Sequence, residues 1–261
     1  MRGTKSYAWG RAFTCVLCVL AVACVAASCE WLGVEGREGE HTVRFSPNVA
    51  VFKFIGDYEV YYTLAKDSVY TATLIGVEEK LRNVEVEARA DTLTIVDRAR
   101  KKLGRVARRF KVVLEGPPPR EFHLKGGRLL TAKDVGMGQS MSLSCVEFTG
   151  DICVEGKFAW VGVWCYDCYG KIELGGEAQE LYASMYGAQW LCARDLHTLR
   201  ANVTCGRMLG AEVNASDSLI VNFIEPCEVY YLGTPGVRIE CTNGERGTVM
   251  PLRDAMGYVQ R

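Results

Sequence analysis

Met141-Ser-Leu-Ser-Cys145, Val161-Gly-Val-Trp-Cys165, Leu181-Tyr-Ala-Ser-Met185, Leu199-Arg-Ala-Asn-Val203 and Leu219-Ile-Val-Asn-Phe223 are five short segments built on one pattern. Each alternates apolar with polar or aromatic residues, the period of a β-strand that buries one face. Turn residues recur at Gly150, Gly170, Gly187, Gly206, Pro226 and Gly247, at intervals of 20, 17, 19, 20 and 21. A second short apolar stretch follows several of these turns, as in Asp151-Ile-Cys-Val154, Lys171-Ile-Glu-Leu174 and Glu228-Val-Tyr-Tyr231. Strands of period two inside a repeat of about 19 residues predict that each repeat is one coil of a solenoid.

One such coil cannot bury its inward side chains alone. Coils stacked about 4.8 Å apart pair each strand with its counterparts above and below, and close a core of apolar ladders. In register, the five segments superpose Leu143, Val163, Ala183, Ala201 and Val221, and at the next inward position Cys145, Cys165, Met185, Val203 and Phe223. The residues between them (Ser142, Ser144, Gly162, Trp164, Tyr182, Ser184, Arg200, Asn202, Ile220 and Asn222) are expected to face outward.

Upstream, alternation at Val43 and Phe45, Phe52 and Phe54, Tyr58 with Val60 and Tyr62, Val84 and Val86, and Leu93 and Ile95 predicts an N-terminal strand-rich portion of the same domain. Only Gly76 to Leu81 and an arginine-rich run hint at helix. That run, Arg98 to Arg109, holds seven basic residues in twelve and reads as a solvated loop, with acidic polysaccharide or lipid head groups as the alternative ligands. Gly116-Pro-Pro-Pro119 then breaks the chain.

The N-terminus reads as an export signal. Arg2, Lys5 and Arg11 precede an uncharged apolar stretch from Phe13 to Ala27, shorter than the roughly 20 residues that span a bilayer. Val25-Ala-Ala-Ser-Cys29 has the form of a relaxed bacterial lipobox, which makes Cys29 the expected lipidation site. Leu20-Ala-Val-Ala-Cys24 is an alternative of the same form, and ordinary cleavage is a third outcome. The expected division is a signal peptide over residues 1–28, a Gly- and Glu-rich tether over 29–40, the β domain over 41–250 and a tail over 251–261. Removing residues 1–28 leaves 28 basic against 31 acidic side chains, a net charge of −3, which argues against nucleic acid as a partner.

Of twelve cysteines, Cys15, Cys18 and Cys24 fall in the leader, Cys29 stands at its end, and eight lie in the domain. Cys145 and Cys165, one coil apart on an inward ladder, are spaced for a disulfide, and serve equally well as thiols packed like small apolar residues. Cys165-Tyr-Asp-Cys168 has half the spacing of a zinc site, without the other half, so neither a metal nor a cofactor is expected.

The residues also resemble a known family. An opening segment, Phe52-Lys-Phe-Ile-Gly-Asp-Tyr-Glu-Val-Tyr-Tyr-Thr63, is followed by Asp91-Thr-Leu-Thr-Ile95, by Phe148-Thr-Gly-Asp-Ile152, and by a long closing phrase from Cys227 to Val249. Over roughly residues 41–250 this is similar to the bacterial auto-transporter adhesins with a head GIN domain. The resemblance implies an all-β, single-stranded right-handed parallel β-helix, exported to the cell envelope and anchored by lipid to the outer membrane. This chain departs from the family's Ser-Gly-Ser-Gly-Asp turns at Tyr166-Asp-Cys-Tyr-Gly170, Tyr186-Gly-Ala-Gln-Trp190 and Thr204-Cys-Gly-Arg207.

Catalytic chemistry is sparse. His41, His123 and His197 are scattered, and the sequence has no GxSxG, HExxH or phosphate-binding glycine loop. Asp151, Asp167 and Glu173 stand on adjacent coils, so a polysaccharide-active enzyme on the same scaffold is the alternative to a non-enzymatic adhesin, ligand-binding module or purely structural envelope protein. The favoured candidate is an aromatic surface: Trp164 and Tyr166 beside Tyr182 and Tyr186, with Tyr169 and Trp190 at the adjoining corner. Exposed rings suit a surface glycan or an envelope protein. No residue pattern speaks to oligomeric state.

Overall fold

The computed structural model describes residues 37–98, 110–242, 244 and 246–252. The alternating segments upstream of the repeat form β1 (Glu38–Arg44), β2 (Val51–Gly56), β3 (Tyr58–Leu64), β4 (Thr71–Val77), β5 (Val84–Arg89) and β6 (Thr92–Asp97), with a one-turn helix α1 (Glu78–Leu81) inside the stretch where helix was expected. β7 (Phe110–Gly116) and β8 (Glu121–Gly126) lead into five strands of 14 to 18 residues: β9 (Leu129–Val146), β10 (Asp151–Tyr166), β11 (Gly170–Tyr186), β12 (Gln189–Gly206) and β13 (Gly210–Phe223). β14 (Glu228–Leu232), β15 (Gly236–Cys241) and β16 (Thr248–Pro251) close the series. The result is an all-β solenoid of about six turns.

Each long strand supplies two arms of a coil, and register irregularities near Val154–Trp160, Glu173–Gly175 and Ala193–Arg200 mark where one arm gives way to the next. First arms stack in the order β7, β3, β9, β10, β11, β12, β13, β14, β16. Second arms stack as β6, β2, β8, β9, β10, β11, β12, β13, β15. These pairings are parallel, as stacked coils require.

The ten side chains expected to point inward are all buried. The observed rungs run Leu143, Val163, Ala183, Val203, Val221 and Cys145, Cys165, Met185, Cys205, Phe223. The expected placement of Ala201 under Ala183 and of Val203 under Met185 is therefore corrected by two residues on β12, since Ala201 pairs with Leu181. A slip of two keeps every inward residue inward, so alternation cannot detect it. Outward packing does detect it: in the observed register Gly206 lies beside Tyr186, and a Cβ there would come within 2.6 Å of the tyrosine ring.

The N-terminal portion adds a feature that the repeat does not announce. β2 and β3 form one coil and β6 and β7 another, yet the later coil lies outside the earlier one, because β2 sits between β6 and β8, and β3 between β7 and β9. Antiparallel strands finish this end: β4 pairs with β7, β1 with β4, and β5 with β6. The core there is aromatic, with Phe52, Tyr62 and Phe122 centred 5.3 to 5.7 Å apart in mutual contact. The aliphatic and thiol ladders take over from Leu130 onward.

The sheet begins at Glu38, three residues inside the expected tether, and its last strand ends at Pro251, one residue beyond the expected domain end. The expected signal peptide, Cys24 and Cys29, the tether up to residue 36, residues 99–109 of the basic run and the tail from 253 lie outside the described residues.

Leu143 is wholly buried between Phe122 and Val163 on neighbouring rungs. Leu143→Ala is expected to lower unfolding stability by about 3 kcal/mol, through lost burial plus the cavity left behind. Urea denaturation followed by circular dichroism measures this, and a change below about 1 kcal/mol would contradict a tightly packed ladder at that rung.

Candidate binding surface

On the second arm of β10, alternation turns Val161, Val163 and Cys165 inward and leaves Trp160, Gly162 and Trp164 on the outer face. Parallel pairing then places Tyr182 beside Gly162 and Tyr186 beside Tyr166 on β11. Trp160 and Trp164 are 5.4 Å apart between ring centroids at 42°, and Trp160 and Tyr182 are 5.9 Å apart at 43°. Trp164 and Tyr182 each keep 41% of their surface exposed and Tyr166 keeps 60%.

Four of the six predicted ring positions (Trp164, Tyr166, Tyr182 and Tyr186) thus share one face. Tyr169 is exposed in the turn at its edge, where its backbone N–H donates to the Phe148 carbonyl. Trp190 does not join them. It lies on the first arm of β12, between Lys171 and Gly210, and stacks on Tyr230 at 6.4 Å. The corner reading failed for it because the turn ends at Gly187-Ala188 and Trp190 is already the second residue of the next strand. Trp160 was missed, although stepping back by twos from Trp164 along the outer face reaches it through Gly162.

Uncharged side chains occupy the outer positions beside Gly162, Trp164 and Tyr182. Ser142 and Tyr182 flank Gly162, Ser144 and Ser184 flank Trp164, and Asn202 stands beside Tyr182. The nearest ion pair in these rows joins Glu180, the register neighbour of Trp160, to Arg200.

The carboxylates of the enzymatic alternative are differently placed. Asp151 Oδ1 accepts the Lys171 backbone N–H at 3.0 Å and Glu173 pairs with the Lys171 ammonium, both on the first arm. Asp167 sits in the turn after β10 as a left-handed residue, φ 51°. Of the histidines, His123 Nε2 is 3.1 Å from Glu121, His197 Nδ1 is 3.1 Å from the Asn214 amide, and His41 lies opposite Leu74 on β1. Among the described residues no cluster of histidine, cysteine and carboxylate side chains could hold a metal ion.

Residues 53–235 match the family model described as putative auto-transporter adhesin, head GIN domain. The chain belongs to this adhesin family. Solved structures agree on the fold. A putative adhesin of Bacteroides fragilis superposes with a TM-score of 0.66 at 14% identity, over 84% of this chain and all of its own. A putative adhesin of Parabacteroides merdae gives 0.52 at 15%, over 83% and 97%, and a protein of Parabacteroides distasonis named as a putative lipid binding protein gives 0.55 at 15%, over 82% and 97%. The comparison with curated proteins found no match.

The turn Tyr166-Asp-Cys-Tyr169 brings Cys168 into the core beside Cys165. Cys145 and Cys165 are register partners, and all eight described cysteines are free thiols. A hydrogen bond with Cys145, together with burial, pushes the Cys165 thiol far above the ordinary range. Cys168 is pushed up in the same way by its hydrogen bond with Cys165 and by burial, while its Sγ donates to the Tyr166 carbonyl at 3.2 Å. Because the thiolate is the reactive form, Cys165 and Cys168 are expected to resist iodoacetamide at pH 8 in the folded protein, whereas exposed Cys241 reacts. Peptide mass spectrometry after native labelling checks this, and rapid labelling of Cys165 or Cys168 would contradict it. Repeating the labelling on unfolded, unreduced protein tests the bridge, since Cys145 and Cys165 both left unlabelled would place a disulfide between them.

Proposed function

We propose that the chain is a non-enzymatic binding module of the bacterial cell envelope, exported by its leader and anchored to the outer membrane through a lipid on Cys29. Its ligand-contacting surface is the outer face of the second arm. The observation that carries this reading is the contiguous cluster of half-buried Trp160 with exposed Trp164 and Tyr182, extended by Tyr166 and Tyr186. Rings held rigidly on a sheet offer a large contact area at little entropic cost, and monomeric proteins seldom leave such a cluster uncovered without a use for it. The family and the structural neighbours named as adhesins support a surface role of this kind.

Two features favour the outside of the solenoid over its interior and over catalysis. The inward ladders are filled, with Leu143, Val163, Val203 and Val221 wholly buried. Of the carboxylates considered for glycosidic chemistry, Asp151 and Glu173 are engaged with Lys171, and Asp167 sits apart from them in the turn after β10.

Replacing Trp164 and Tyr182 by alanine in the mature chain is expected to weaken capture of envelope glycan or protein by at least about tenfold, a loss of about 1.4 kcal/mol, with the far-ultraviolet circular dichroism spectrum unchanged. Undiminished capture would overturn the assignment of this face. The anchor is tested separately. In cells fed a radiolabelled fatty acid, Cys29→Ala is expected to abolish incorporation; loss with Cys24→Ala alone would move the anchor to Cys24, and no labelling of the parent chain would overturn lipidation.

A further inference from the structure

We infer that the aromatic face takes a neutral saccharide laid flat against it, and that Gly162 is the positioning residue that sets the plane of the rings. The inference rests on the reading of this face as the binding surface. An ideal Cβ placed on Gly162 would come within 2.2 Å of Trp164 Cη2 and 2.3 Å of Trp160 Cη2. The tips of both indoles therefore converge over the Gly162 backbone, which is buried beneath them. The backbone at Gly162 lies outside the left-handed region, so steric room for the rings, and not backbone conformation, calls for glycine. With no side chain between them the indoles lie over the strand, and Tyr182 on the next strand continues the surface at 5.9 Å from Trp160.

The surroundings select among ligands. A pyranose has an apolar face of C–H groups and a rim of hydroxyls, so it needs an aromatic platform bordered by uncharged donors and acceptors. Ser142, Ser144, Ser184, Asn202 and Thr204 occupy that border by register. An acidic polysaccharide calls for arginine or lysine beside the rings with unused hydrogen bonds; Arg200, the cation nearest the indoles, is paired with Glu180, Arg238 at the far end of the Tyr182 row is paired with Glu240, and Lys125 stands two strands from Tyr166, beyond Val146. A protein interface core is depleted of serine and has apolar neighbours around its anchors, the opposite of this border.

The test uses the mature full-length chain and its tryptophan fluorescence, titrated with neutral gluco-, manno- and galacto-configured hexasaccharides and, in parallel, with oligogalacturonate. At least one neutral hexasaccharide is expected to shift the emission and bind, oligogalacturonate to bind more weakly, and Gly162→Ala to weaken neutral binding about tenfold while both tryptophans remain. Should Gly162→Ala melt well below the parent chain, Trp160→Ala removes one indole without touching the backbone and is expected to give the same loss. Preference for oligogalacturonate would overturn the neutral assignment, and full neutral binding by both variants would overturn the role of Gly162. If no saccharide binds but an envelope protein is captured in a manner that Trp164→Ala with Tyr182→Ala abolishes, the saccharide inference falls and the binding face stands. If that double variant captures and binds as well as the parent, the face itself falls.

Discussion

In-register pairing between successive coils is the constraint on which everything else in this molecule depends. A coil of about 20 residues exposes both edges of each arm and one half of its inward side chains unless another coil lies above and below. The aliphatic rung from Leu143 to Val221 and the thiol-rich rung from Cys145 to Phe223 record that dependence residue by residue. The N-terminal end departs from the repeat for the same reason. At the N-terminal end the chain lays the β6–β7 coil outside the β2–β3 coil and finishes with antiparallel β1, β4 and β5. At the other end, β15 continues the ladders with Val237 and Ile239, which are exposed.

The same alignment organises the outside. Outward residues at matching positions stand in rows across the sheet, so charges pair with neighbours a coil away, as Lys157 does with Glu177, Arg200 with Glu180 and Arg194 with Glu212. Aromatic residues take a different course. Trp160 and Trp164 close over Gly162, Tyr186 lies over Gly206, and Trp190 lies over Gly210, each ring occupying space that a neighbouring glycine leaves open. The rings seated on the second arm are tilted to one another, Trp160 by 42° to Trp164 and by 43° to Tyr182.

The fold class was legible because it rests on local periodicity. Period-two segments recurring every 17 to 21 residues permit few architectures besides a solenoid, and all ten inward positions read from them are buried. The aromatic face was legible in part: Trp164, Tyr166, Tyr182 and Tyr186 follow from outward parity plus adjacent coils. Trp190 was misplaced because turn length decides on which arm a residue near a corner falls. Trp160 was overlooked although parity alone would have added it.

By itself, then, the sequence determined which residues of the second arms turn inward, since alternation is a property of the local chain and survives any pairing. The tertiary structure alone decided which residues meet across strands. A two-residue slip of β12 conserves burial and alternation, so only the seat of Tyr186 over Gly206 distinguishes the register that puts Val203, and not Ala201, beneath Ala183. The outward placement of the β6–β7 coil beyond the β2–β3 coil is likewise invisible to local patterns, because it is a choice between distant edges of equal chemical character, settled when the aromatic side chains of Phe52, Tyr62 and Phe122 pack together.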